Sequence, residues 1–146
     1  MRFACAGPCI NAYGHQLKES VSNAATTALA ACSVVVFDTS NFDVNSPYNA
    51  VANTTSASDK LRCGVVDDQG IPASGDGEIV IKGIARVLKY AETWAVGDKV
   101  VSYTSGGKAA KQATATAGYA GCIIGTVVVA QTATTDTYGY ISVNLE

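Results

Sequence analysis

Histidine and cysteine are the side chains in this sequence best suited to metal binding or nucleophilic chemistry, and both are scarce. The 146 residues include one histidine, His15, and five cysteines, an odd number that does not fit a disulfide framework. Cys5 and Cys9, followed by His15, resemble a zinc site most, but their spacing fits no common zinc pattern and a fourth ligand is missing. We expect no zinc site, and free cysteines that act as small apolar side chains.

Four carboxylates between residues 67 and 78 are the second group of side chains that could bind a metal ion. Asp67, Asp68, Asp76 and Glu78 could gather around a calcium ion, which prefers oxygen ligands. Aspartate and glycine in close succession are more typical of turns, because the Asp side chain hydrogen-bonds to nearby backbone N–H groups. We therefore predict turns here, with no metal and no other cofactor.

Catalysis needs several reactive groups that converge with tuned pKa values, and the sequence offers few. It contains no Gly-x-Ser-x-Gly motif, no phosphate-binding glycine loop and no dinucleotide fingerprint. A small hydrolase that depends on His15 is the least favoured alternative. The sequence predicts a protein that is not an enzyme.

The remaining polar and aromatic residues are better suited to binding another molecule than to catalysis. Lys82 and Arg86 are an even number of residues apart, so on a regular strand they share one face, where they either meet an acidic partner or only solvate the strand. Trp94 either packs in a core or anchors an interface. Tyr138 and Tyr140 share one face of the last strand and line either a core or a subunit contact. The candidate interface residues are Tyr13, Lys82, Arg86, Lys89, Trp94, Tyr138 and Tyr140.

The overall charge limits the kind of partner. A net charge of −2 gives no electrostatic reason to expect nucleic-acid or membrane binding. No run approaches the ~20 apolar residues of a membrane helix. Residues 29–32 match the cleavage pattern of bacterial lipoproteins, but the apolar segment that must precede it is absent. Charged residues make up 15% of the chain, below the usual ~25%, which favours a subunit that lies against other subunits.

The segment from Gly77 to Lys111 indicates the fold class, because it is rich in β-branched residues and interrupted by glycine turns. Further strands are predicted at 34–37, 61–66, 121–129 and 138–145. Residues 17–32 have apolar and alanine residues at helical spacing, so they form either an amphipathic helix or an extended arm. Residues 40–60 are predicted to be a surface loop.

A loose internal repeat also emerges from the strands. Gly64 lies 15 residues before Ile79, and Gly125 lies 16 residues before Ile141, within similar sequence. The expected fold is mainly β, a small antiparallel barrel or sandwich built from a duplicated three-strand unit or from unrelated β-strands of generic sequence. We predict an N-terminal arm or helix at 1–33 and one compact β domain at 34–146, with a repeat that spans 34–83 and 100–146.

The sequence from residue 61 onward resembles the small head-decoration, or capsid cement, proteins of tailed bacteriophages. The resemblance rests on the segments Gly77–Val87, Trp94–Val101 and Ser105–Ala109, followed by the strands Gly121–Val129 and Tyr140–Leu145. Residues 1–60 depart from the pattern of that family.

The resemblance implies a homotrimer on the outer surface of the virion, made in the cytoplasm of the bacterial host. It would bind the major capsid protein at three-fold and quasi-three-fold positions and stabilise the expanded shell. An alternative is a carbohydrate- or receptor-binding module of a phage or bacterial surface structure, which needs an exposed aromatic platform built from Trp94, Tyr103, Tyr119 or Tyr138.

Overall fold

A computed structural model describes residues 15–38, 50–52, 62–104, 106–112, 123–135 and 137–144. Within these segments the secondary structure is entirely β. The nine strands are β1 (Gln16–Ser22), β2 (Val34–Phe37), β3 (Ala50–Ala52), β4 (Arg62–Val66), β5 (Asp76–Lys89), β6 (Lys99–Thr104), β7 (Lys108–Lys111), β8 (Ile123–Val127) and β9 (Thr137–Asn144). The mainly β fold predicted from the sequence is confirmed.

The long strand β5 connects two parts of one sheet. Its N-terminal part pairs with β1 and β4, and its C-terminal part pairs with β9 and, through Lys89 and Ala109, with β7. The strands β5, β7, β6, β8 and β9 pair in a ring and form a closed five-stranded barrel. Strands β1, β2, β3 and β4 extend the sheet beyond the barrel.

The helical alternative for residues 17–32 is wrong, because these residues begin with strand β1. Strand β1 pairs antiparallel with β5 from Gln16 to Ser22. The helical face proposed from the sequence consisted mainly of alanine, which buries little apolar area, whereas strand pairing satisfies the backbone of this segment directly. The predicted boundary at residue 33 stays a prediction, and β1, on the arm side of it, is part of the sheet.

The two halves of the chain follow one plan. The sheet order β3-β2-β4-β5 is repeated as β7-β6-β8-β9. The registers match as well: Val35 pairs with Gly64 next to a β-bulge, and Val100 pairs with Gly125 next to a β-bulge. Val35 and Val100 are therefore counterparts, and so are Gly64 and Gly125.

Strand β5 belongs to both halves. Ser20 in β1 lies opposite Glu78 in the N-terminal part of β5, as Arg86 in the C-terminal part of β5 lies opposite Tyr140 in β9. We call residues 16–83 the first half and residues 82–144 the second half. The correspondence includes the turns, since Cys32 and its counterpart Gly97 both have positive φ, at 65° and 93°.

Each half has its own core, and the two cores use corresponding positions. The first contains Val21, Leu29, Val35, Val66, Ile71 and Ile79, and the second contains the counterparts of five of these, Val87, Trp94, Val100, Val127 and Ile141. Burial of these β-branched and aromatic side chains contributes most of the stabilisation, at roughly 25 cal/mol per Å² of apolar surface.

Three valines join the halves. Val34, Val65 and Val80 of the first half are fully buried in the core of the second half. Two backbone hydrogen bonds cross the same joint, from Val34 N to Gly107 O and from Leu88 N to Cys32 O, both at 2.8 Å. The two halves therefore form one packed unit.

Candidate functional site

The outer surface of the barrel between β5 and β9 brings together four of the predicted interface residues. Opposite residues of paired strands share a face, so the register places Arg86 beside Tyr140 and Leu88 beside Tyr138. We call this surface the barrel face. It consists of Lys82, Ile84, Arg86 and Leu88 on β5 and Tyr138, Tyr140, Ser142 and Asn144 on β9.

Arg86 lies at the centre of the barrel face. Its guanidinium carbon is 4.5 Å from the centroid of the Tyr138 ring, in the geometry of a cation–π contact. Its Nη2 atom is 3.5 Å from Oδ1 of Asp68, which also accepts a hydrogen bond from the Cys32 thiol at 3.5 Å. These contacts hold the guanidinium next to the Tyr138 ring, and Tyr138 is 41% exposed.

Two shallow depressions lie at the ends of the barrel face. One, of about 170 Å³, is lined by Leu88, Lys89, Lys108, Thr137 and Tyr138. The other, of about 340 Å³, is lined by His15, Gln16, Leu17, Lys82 and Gly83. Neither is an enclosed cavity, so the face is suited to contact another macromolecule rather than to enclose a small molecule.

Lys89 and Trp94 are buried and are therefore removed from the candidate surface. Lys89 is an odd number of residues from Lys82, so its side chain points into the barrel, where Nζ donates to the carbonyl oxygens of Tyr90, Glu92, Ala133 and Thr135. Trp94 is 2% exposed, and its Nε1 donates to Oε1 of Glu92 at 2.9 Å. Tyr13 lies outside the described residues.

The first half provides an internal comparison for the barrel face, because the same backbone positions carry different side chains there. The counterparts of Arg86 and Leu88 are Ser20 and Ser22. The counterparts of Tyr138 and Tyr140 are Asp76 and Glu78, both exposed. We call the surface formed by Ser20, Ser22, Asp76 and Glu78 the acidic face.

The acidic face has the composition of an ordinary solvated strand, whereas the barrel face has aromatic, aliphatic and guanidinium groups. The fold therefore does not require the apolar residues of the barrel face, since its own duplicate does without them. Aromatic residues and arginine are enriched in protein interfaces. Ile84 and Leu88, which the sequence analysis did not name, could have been identified by extending the alternation of Lys82 and Arg86.

Reactive groups do not converge in the described part of the chain. No three His, Cys, Asp or Glu side chains in the described segments lie close enough to hold a metal ion. Burial raises the pKa of the Cys32 thiol, although Arg86 acts in the opposite direction. A thiol with a raised pKa is a poor nucleophile at neutral pH. The described residues also include no helix with the length and apolar character needed to span a membrane.

Comparison with known proteins links the fold to a solved structure. No family model and no curated protein matches the chain. The chain is similar to the crystal structure of the N base of head fiber gp8.5 in bacteriophage phi29, with a TM-score of 0.55 and 13% sequence identity. The match covers 89% of this chain and 99% of that chain. At this identity the similarity establishes the fold, which is shared with the base of a phage head fibre.

Proposed function

We propose that the chain is a structural protein of a bacteriophage virion, a decoration or cement protein on the outer surface of the head. It binds the major capsid protein at three-fold and quasi-three-fold positions as a homotrimer and bridges neighbouring subunits of the expanded shell. It is not an enzyme. It is made in the cytoplasm of the host bacterium and reaches its final location when it binds the head.

The observation that carries this proposal is the similarity in fold to a protein of a phage head, over nearly the whole length of both chains. The sequence resemblance to cement proteins, which rests on residues 61–146, supports the same location. A barrel face rich in aromatic and aliphatic side chains is also the kind of surface that a subunit of an assembly uses.

Many weak contacts explain how a small protein stabilises a large shell. Each bridge buries apolar surface between neighbouring capsid subunits, at roughly 25 cal/mol per Å², but the cost of ordering two partners offsets much of this gain. A trimer that contacts several subunits at once makes its second and third contacts at high effective concentration. The shell is then stabilised by the number of bridges rather than by the strength of one.

Sedimentation with heads tests the proposal. Purified protein is mixed with undecorated, expanded heads, and bound protein is measured in the pellet over a range of concentrations. We expect binding that saturates, and decorated heads that release their DNA at a higher temperature than undecorated heads. Absence of the protein from the pellet at saturating concentration overturns the cement function.

The carbohydrate-binding alternative has less support among the described residues. Of the aromatic residues suggested as a platform, Trp94 is buried, Tyr103 packs edge-on against Tyr90 with ring centroids 4.9 Å apart, and Tyr119 lies outside the described segments. Tyr138 remains, and Arg86 lies against its ring. Binding to a glycan array by protein that does not bind heads would favour this alternative.

A further inference from the structure

We infer that the barrel face docks on the acidic face of a second copy of this chain. The inference rests on the proposed function only for the number of copies, since a contact between two different faces can continue from copy to copy until a ring closes. The two faces themselves are related by the internal duplication, which gives each of the four residues of the acidic face a counterpart in the barrel face.

Charge complementarity is the first argument for a second copy. None of the eight residues of the barrel face is acidic. Of its two cations, Arg86 is 3.5 Å from Asp68, and Lys82 forms no ion pair among the described residues. On the acidic face, Asp76 and Glu78 are both exposed. The nearest cation on that strand pair, Lys18, is already 3.5 Å from Asp67. The two faces of one chain are therefore of opposite sign.

Each of the two faces has exposed charged side chains that form no ion pair within the described part of the chain. Among the described residues, Lys82, Asp76 and Glu78 form no ion pair, and all three are exposed. The imbalance extends over the sequence: residues 1–80 have four Lys or Arg and eight Asp or Glu, whereas residues 81–146 have six and four. Opposite patches of this kind guide two copies into one register and disfavour contact between like faces.

The size of the side chains is the second argument. The acidic face has Ser20 and Ser22 at the positions where the barrel face has Arg86 and Leu88. Small side chains leave space for large ones from a partner, so the Tyr138 ring and the Leu88 side chain can approach the strand β1 closely. Ser22 Oγ donates to Oδ1 of Asp76 at 2.7 Å, which fixes this carboxylate towards the outer surface.

A contact between two barrel faces, or between two acidic faces, is less favourable. Contact between two barrel faces would bring Lys82 and Arg86 of both copies together, and contact between two acidic faces would bring four carboxylates together. Like charges in an interface are costly. The contact is therefore between unlike faces, so each copy uses its barrel face on one neighbour and its acidic face on another.

Charge reversal with reciprocal rescue tests the contact. The mass of the full-length chain in solution is measured by sedimentation velocity for wild type, Lys82→Glu, Glu78→Lys and the double variant with both changes. We expect each single variant to dissociate at a protein concentration roughly ten-fold or more above that of wild type, because an attraction becomes a repulsion. The double variant should recover most of the association, since its faces are again of opposite sign.

Lys99→Glu is the matched control, because Lys99 is exposed on the same barrel but outside the barrel face, where Nζ donates to Oγ1 of Thr126 at 2.8 Å. It changes the net charge by the same amount as Lys82→Glu and should leave the mass unchanged. The melting temperature of each variant checks that the fold is retained. Tyr138→Ser is a second test of the face that involves no formal charge, and it should also weaken association.

The outcomes separate this inference from the proposed function. A monomeric wild type, or a Lys82→Glu variant whose mass equals that of wild type, overturns the contact between copies. A Lys82→Glu variant that keeps its mass but no longer pellets with heads would assign the barrel face to the capsid instead. Reciprocal rescue of the mass in a protein that never pellets with heads would support the contact and overturn the cement function.

Discussion

Asn23 and Lys89 are counterparts that perform the same task with different chemistry. Each follows the residues that form an outer face, and each is a buried polar side chain. Asn23 Nδ2 donates to the carbonyl oxygens of Thr27 and Pro72, at 2.9 and 3.1 Å. Lys89 Nζ donates to the carbonyl oxygens of Glu92 and Ala133. In both halves one side chain thus ties the loop after a strand to the loop before the last strand.

Replacement of Lys89 by methionine should destabilise the protein by about 3 kcal/mol. Methionine fills the space but cannot donate, so the carbonyl groups of Tyr90, Glu92, Ala133 and Thr135 lose a charged donor whose side chain is fully buried. The free energy of unfolding in urea measures the effect. Lys99→Met, at an exposed position, is the control and should change stability by less than about 0.5 kcal/mol. Equal stability of the two variants would contradict a structural role of the buried ammonium group.

Gly139 should not accept a side chain, because the Trp94 ring lies directly on it. A Cβ atom at Gly139 would overlap Cζ3 of Trp94, and at the counterpart Gly77 it would lie 2.6 Å from Cγ1 of Ile71. Gly139→Ala should therefore cost about 2 kcal/mol in stability and change the tryptophan fluorescence.

The counterpart of Trp94 suggests a way to test this cause. The first half has Leu29 at the same position, so Trp94→Leu creates space beside residue 139. In a double-mutant cycle, Gly139→Ala should cost at least about 1 kcal/mol less in the Trp94→Leu background than in wild type. An additive cycle would show that the cost comes from the backbone and not from the ring.

Stability should fall at alkaline pH in part because of Cys32. Burial raises the pKa of this thiol in the folded protein, so above the unfolded value of about 8.5 the unfolded chain releases a proton that the folded chain retains. The contribution is fully present below that pH and is lost as the pH rises towards the folded pKa, with a slope of at most about 1.4 kcal/mol per pH unit.

Cys32→Ala isolates this contribution from that of other groups that titrate at alkaline pH. Between pH 8 and pH 10, the free energy of unfolding should fall less steeply for the variant than for wild type. Identical slopes would mean that the thiol ionises equally well in both states, which is incompatible with its burial at 0% exposure.

The sequence predicted the positions of the strands better than it predicted which strands pair. Runs of β-branched residues identified β2, β4, β6, β8 and β9, because such side chains pack well on the pleated surface of a sheet. The strand β3 at Ala50–Ala52 and the pairing of β1 could not be predicted, since both depend on long-range partners rather than on local pattern. Alanine at helical spacing indicated a helix, but a weakly apolar face does not decide between helix and strand.

The candidate site could be predicted in part, because side chains an even number of residues apart on a strand lie on the same face. Lys82 and Arg86, and likewise Tyr138 and Tyr140, lie an even number of residues apart, and each pair does share a face. The same parity would have excluded Lys89. The sequence could not provide the register between β5 and β9, which places Arg86 near Tyr138. It also could not show that β1 corresponds to the C-terminal part of β5, which makes Ser20 the counterpart of Arg86.

The joint between the halves should be sensitive to a single hydroxyl group. Val65 is fully buried in the core of the second half, whereas its counterpart Thr126 lies on the outer surface of the barrel, where it accepts a hydrogen bond from Lys99. The same position is thus apolar where a neighbouring half packs on it and polar where none does.

Val65→Thr should therefore cost about 2 kcal/mol, because it places a hydroxyl group among apolar side chains of the joint. The matched control is Thr126→Val at the corresponding position, which should cost less than about 1 kcal/mol because the hydrogen bond it removes is exposed. If the joint couples the halves, Val65→Thr should also lower the urea m value, since one half can then unfold before the other. An unchanged m value with a full loss of stability would mean that the halves still unfold together, held by β5, which belongs to both.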